Sequence, residues 1–267
     1  MMAESPLIKA VKACSLNDAF VALLEREGPL LAREWRSKES RSSGAQTLLM
    51  QALKSSHRDA PALARLLFAH SDIHAVDKAG NTHLMIASGS LASDNFDLLI
   101  ADSDPAALNA LGDTALMIAA RNHRAANVAK LLPLSDPRAA NSVGDTALMM
   151  AAHLPGMGYD LQSQMRQIVN MLLPVSDSRA KNQAGQDAFD IAAGRHNFFL
   201  IELLSAQASD AQLEAVVQSM RDYPPDALLA ELPITFAHFE ARQLQKTIAE
   251  AGHHSPRPSA PRSPRAL

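Results

Sequence analysis

One cysteine, Cys14, is the whole thiol content of this 267-residue chain. No internal disulfide can staple it, and such cysteine usage suits a reducing compartment better than a small secreted scaffold. Aromatic residues are equally scarce, at 4%, which disfavours a β-sandwich core and favours helices that meet through small side chains. Long apolar runs are also missing. Nowhere does an uncharged apolar stretch approach the length that spans a bilayer, and Lys9 and Lys12 interrupt the opening MMAESPLIKAVKACSLNDAF where a signal peptide would need its apolar core. A large charge imbalance is absent too: the net charge of −3 gives no global electrostatic reason to bind nucleic acid or an anionic membrane. These absences point to a cytoplasmic, α-rich protein, and the 47% of hydrophobic residues are enough to bury a substantial core.

What the chain does contain is a phrase written more than once. GDTALMIAA (112–120) and GDTALMMAA (144–152) are nearly identical, and looser copies carry Gly80 with Thr82, Gly185 with Asp187, and Thr47. A unit that cannot bury its apolar face alone needs a neighbour of the same shape, so a recurring phrase implies stacked structural repeats. Asp77, Asn109, Asn141 and Asn182 stand three positions before the four glycines, which predicts a tight turn with Asx at its first position and a left-handed glycine at its fourth. The Thr, or Asp187, two positions later then caps a short helix. Asn122, His123 and His196 are residue types that tolerate the left-handed conformation in which helices end. A second helix closes on a leucine pair or near-pair (Leu66–Leu67, Leu99–Ile100, Leu131–Leu132, Leu172–Leu173, Leu203–Leu204), and a Ser-led turn restarts the cycle.

Turn, short helix, turn, second helix and leucine pair at this period resemble the ankyrin repeat. The resemblance implies an all-α ankyrin-repeat solenoid of helix-turn-helix units with β-turn fingers, flanked by helical caps. Five repeats are expected over 45–204, opening near Ala45, Gly80, Gly112, Gly144 and Gly185, with an insertion at 154–163. The chain departs from the family phrase at Ala115 and Ala147, where proline is usual, and at Met117 and Met149, where histidine is usual; the Thr-to-His bond within the repeat is then lost. An array of helical hairpins without fingers would leave the Asx-x-x-Gly signature without a reason. Residues 1–44 are expected as an N-terminal helical cap and 205–250 as a C-terminal one that opens with a Ser209–Gln212 capping box; the Pro- and Arg-rich 251–267 are expected to be disordered.

Met50, Met85, Met117 and Met149 recur at one position, as stacked core residues do. His70 with His74 and His253 with His254 lack further ligands at metal spacing, Cys14 sits in an apolar helical pattern, and no phosphate loop or nucleophile elbow occurs. No enzyme, no metal and no cofactor are expected. The expected role is a noncatalytic interaction module that takes a protein partner, with neither nucleic acid nor membrane involved. What the resemblance implies for its surface is a concave face of Lys78, Ala79, Asn81, Ala110, Leu111, Asp113, Arg121, Asn122, Ser142, Val143, Asp145, His153, Gln183, Ala184, Gln186 and Arg195, aided by Met157 and Tyr159 in the insertion. One alternative is a translocated bacterial effector acting on a host protein, delivered by a non-Sec route through its Arg-rich C-terminus; another is a cryptic enzyme in 205–250 with His238 as its base.

Overall fold

The computed structural model describes residues 22, 25–26, 46–55, 57–90, 96–153, 159–219 and 233–253. Over these the chain builds successive helix pairs: α1 (Leu48–Lys54) with α2 (Ala60–Phe68), α3 (His83–Gly89) with α4 (Phe96–Asp102), α5 (Ala115–Arg121) with α6 (Ala125–Leu131), α7 (Ala147–Ala152) with α8 (Tyr159–Leu172), and α9 (Ala188–Gly194) with α10 (Phe198–Leu204). Among the described residues two further helices follow, α11 (Asp210–Ser219) and α12 (Pro233–His253). The first helices α1, α3, α5, α7 and α9 pack in that order into one layer, and α6, α8 and α10 pack in order in the other. The expected N-terminal cap at 1–44 lies outside the described residues, apart from helical Ala22, Glu25 and Arg26.

Each first helix starts where its sequence places an oxygen. The side chains of Thr47, Thr82, Thr114, Thr146 and Asp187 accept the N–H of the third residue beyond, which satisfies one of the amides that every helix start leaves open. His123 and His196 take positive φ (54° and 52°) and end α5 and α9, whereas Asn122 keeps φ −90°. Met50, Met85, Met117 and Met149 are all buried, as is one member of each leucine pair. Each such side chain contributes about 1.5–3 kcal/mol relative to exposure. The Ala-rich first helices α5, α7 and α9 can lie close together because small side chains stand between them.

The ankyrin architecture expected from the phrase is not what forms. Among the described residues no β-hairpin finger exists, and the one isolated antiparallel bridge recorded there joins Ala140 to Thr146. The returning arm is short: Thr114 caps α5 two residues after Gly112, and the backbone turns helical before a ladder is built. Two backbone bonds close each loop, as from Gly112 N–H to Asn109 O at 2.9 Å and from Asn109 N–H to Asp113 O at 3.1 Å. The fold is therefore an all-α array of helical hairpins, consistent with a helical solenoid, and the Asx-x-x-Gly signature has another reason, given below.

Residues 154–158, Met157 among them, lie outside the described residues, while 159–163 open α8, which runs 14 residues against 7 in α6. Ser209 and Gln212 form the expected capping box of α11 (Ser209 N–H to Gln212 Oε1, 2.8 Å; Gln212 N–H to Ser209 Oγ, 3.3 Å). The Gln212 amide also reaches Asp187 and Asp190, to which Lys181 donates at 2.8 and 2.7 Å. Burial pushes the Asp190 carboxyl up, but the bonds from Lys181 and Gln212 outweigh it and hold the group below the usual carboxylate range. Helix α12 continues to His253, past the expected edge of the cap at 250, and 254–267 lie outside the described residues.

Candidate functional site

The four turns form a continuous ladder. In each, the Asx side chain accepts the N–H groups two and four residues on, as Asn109 Oδ1 does from Leu111 and Asp113, both at 2.9 Å. Backbone bonds then tie turn to turn: Ala110 N–H donates to Ala79 O (2.8 Å), Ser142 N–H to Leu111 O (2.9 Å) and Gln183 N–H to Val143 O (3.0 Å). A second rail runs through side chains. Asn109 Nδ2 donates to Asn81 Oδ1 (2.9 Å), Asn141 to Asp113 Oδ1 (2.7 Å) and Asn182 to Asp145 Oδ1 (2.8 Å). This is what the Asx-x-x-Gly signature does here: it staples a turn whose amides are already spoken for and hands a spare amide group to its neighbour.

Against this frame the expected surface residues divide in three. Lys78, Ala79, Ala110, Leu111, Ser142, Val143, Gln183, Ala184, Gln186 and Arg195 are exposed, and Asn81, Arg121, Asn122 and His153 are half-buried. Asp113 and Asp145 are not surface residues, at 1% and 4% exposure, because the Asn rail draws their carboxylates inward. Tyr159 opens α8, and Met157 lies outside the described residues.

Between the Gly112 and Gly144 turns and the ends of α5 and α7 lies a cavity of about 290 Å³. It gathers Leu111, Asp113, Arg121, Ser142, Val143, Asp145 and His153 from the expected set. Asn141 and Met150 line it as well and lie outside the expected set, the sequence marking Asn141 only as a turn residue. Met150 sits four positions after its capping Thr146, the place held by Ile86, Ile118 and Ile191 elsewhere, so helical periodicity was the signal that could have found it. Two acid–base contacts furnish the walls: Asp145 Oδ2 stands 2.7 Å from His153 Nε2, and Asp113 Oδ2 stands 3.8 Å from Arg121 Nη1, beyond hydrogen-bonding range. A second cavity of about 490 Å³ runs between α9 and α11 over Ala193, Gly194, Ala211 and Ala215.

Three further histidines are held by hydrogen bonds within the fold. His83 Nδ1 lies 3.1 Å from Ile73 O, which can only accept, so Nδ1 carries the proton; Nε2 is then free to accept from Thr47 Oγ1 at 2.8 Å. A Thr–His bond therefore exists after all, between units rather than within one. Burial holds this imidazole at a pKa of about 4 against a backbone bond that favours the proton. Burial likewise lowers the pKa of His123, whose Nε2 meets Ala151 O at 3.1 Å. Ser205 Oγ lies 2.9 Å from His238 Nδ1, the spacing of a nucleophile and its base, yet Ser205 is fully buried and its hydroxyl also bonds Glu202 O. The pair seats α12 on α10. Among the described residues no group of three or more His, Cys, Asp or Glu is placed to hold a metal ion, and no helix is long and apolar enough to cross a membrane.

No protein-family model matches the chain, and no curated protein matches it in sequence. The likeness to ankyrin repeats is thus confined to short phrases whose backbone does not build the finger, and the chain is not assigned to that family.

Proposed function

We propose that this chain is a noncatalytic recognition module that binds a protein partner across the turn tips and the adjoining ends of the first helices. The observation that carries the reading is at the tips. Leu111 and Val143 remain 58% and 51% exposed, on neighbouring turns whose backbones are locked together by hydrogen bonds. A backbone held in place before binding loses little conformational freedom when a partner covers it, which favours the contact. The cavity between them adds a concave, mixed apolar and polar floor of the kind interfaces use for an anchoring side chain.

The test compares the wild-type chain with a Leu111→Ser, Val143→Ser, Arg121→Glu variant, which changes two exposed positions and one half-buried one. Each is immobilised, challenged with native lysate and read by quantitative mass spectrometry, with thermal unfolding followed by circular dichroism. A protein retained by the wild type and lost from an equally stable variant supports the reading. Identical retention by both chains overturns it.

A further inference from the structure

The structure assigns a chemistry to the anchor: we infer that the cavity between the Gly112 and Gly144 turns receives the basic side chain of an arginine or lysine presented by the partner, an inference that rests on the recognition role above. Asp113 is 1% exposed, its Oδ1 is taken by Asn141 Nδ2, and its Oδ2 has no donor within bonding distance among the described residues. A carboxylate oxygen only accepts, so the group that completes it must be a donor, and a cation is the donor that offsets its charge. Ser142 Oγ spends its proton on Leu111 O at 2.6 Å and so also faces outward as an acceptor.

The rival occupants fit less well. A carboxylate would meet Asp113 and Asp145 together, and could pair with Arg121 only by drawing that guanidinium off Asp113. An apolar side chain would seal Asp113 Oδ2 away with no partner, which a buried charge does not tolerate without cost. A basic side chain satisfies both demands: its head reaches Asp113 while its alkyl stem lies between Leu111 and Val143 over Met150, as long basic side chains do on apolar surface. Arg121 is half-exposed and 3.8 Å from Asp113, so it is a loosely held internal competitor that can turn out to solvent.

The crevices between successive turns are not alike. Along the tips the residues are Ala79, Leu111, Val143 and Ala184; on the inner rail they are Asn81, Asp113, Asp145 and Gln186; at the helix ends they are Gly89, Arg121, His153 and Gly194. Large apolar tips, paired carboxylates and charged or ionisable helix ends coincide only between the Gly112 and Gly144 turns. The framework repeats and this crevice does not.

The experiment titrates the full-length, isotope-labelled chain with the synthetic peptide acetyl-Ala-Leu-Arg-Leu-Ala-amide and with versions carrying Lys, citrulline or Glu at the centre, read by amide chemical shifts. The Arg and Lys peptides are expected to move the amides of 111–113 and 142–145 saturably, and the Glu and citrulline peptides are expected to bind at least about tenfold more weakly, the scale of one charge-assisted hydrogen bond. Asp113→Asn should weaken the Arg peptide by about tenfold to a hundredfold. The variant keeps the rail bond, because Asn81 already fills the equivalent place. Arg121→Gln should tighten the Arg peptide severalfold by removing the competitor. Equal or better binding of the Glu peptide, weaker binding on Arg121→Gln, no effect of Asp113→Asn, or no shifts at these amides with any peptide would each overturn the assignment. A partner whose capture depends on Leu111 and Val143 alongside a silent Arg peptide would sink this inference and leave the recognition role standing.

Discussion

A Cβ added to Gly112 would lie 2.8 Å from the backbone nitrogen of Ser142. No side chain of any size fits between these turns, and the φ of +75° there is one that L-residues adopt only under strain. Gly185 has the same conformation (φ +74°) but nothing within 4 Å of its Cβ position, since the ladder of turns ends at it. Gly185→Ala should therefore cost only the conformational strain, about 1–2 kcal/mol. Gly112→Ala should cost that plus displacement of the Ser142 backbone, roughly 3 kcal/mol or more in all. Urea midpoints of the two variants measure the difference, and equal losses would mean that the turns are not stacked.

Acid should weaken the array through His83. Above pH 6.5 its imidazole is neutral whether the chain is folded or not; between 6.5 and 4 the unfolded chain takes up a proton that the folded chain refuses. Stability therefore falls as pH drops across that window, by about 3 kcal/mol once pH is below 4. Alanine holds the equivalent positions 115 and 147, so His83→Ala is expected to be less stable at pH 7, through loss of the Thr47 and Ile73 bonds, and to lose less between pH 7 and pH 5. Denaturant midpoints of both proteins at the two pH values check the prediction.

Helix capping gives a third expectation. Thr114 Oγ1 accepts the Met117 N–H at 3.2 Å, and Asp187 does the same service for α9. Thr114→Ala should destabilise by about 1 kcal/mol, while Thr114→Asp should recover most of that loss. Thermal unfolding of the two variants against the wild type decides it.

A fourth concerns the seat of α12. The Glu202 carboxylate accepts the N–H groups of Ile234 (2.9 Å) and Thr235 (3.1 Å) at the start of that helix. Glu202→Ala leaves both open, and α12 then depends on His238, Arg242 and Lys246, which reach Ser205, Ala208 and Asp210. Hydrogen exchange over 234–246 should accelerate by about tenfold or more, the scale of losing a charge-assisted contact of about 1.5 kcal/mol. Exchange in α5 and α7 should stay as it was.

Local chemistry was legible in the letters. Each Thr cap, the left-handed His123 and His196, the Asx staples and the buried methionine row follow from short-range rules, because the atoms involved lie within a few residues of one another. The finger was misread for a related reason. Turn residues announce a reversal of the chain, but whether two arms then pair depends on how far each runs before its next commitment, and here Thr114 commits two residues after Gly112. The candidate site was legible only in part. Exposed Leu111 and Val143 were anticipated, while Asp113 and Asp145 were expected on the surface and lie beneath it. Their burial comes from amides 28 and 37 residues away, on Asn141 and Asn182, and no local rule carries that distance.

Sequence alone determined that one small unit would recur, where each first helix would begin, and that the chain would need neighbours to bury its apolar faces, since periodicity and capping are properties of adjacent residues. Tertiary structure decided which oxygens were left without donors and which side chains met around one cavity. Those facts depend on turns that stack only after the helices beneath them have packed.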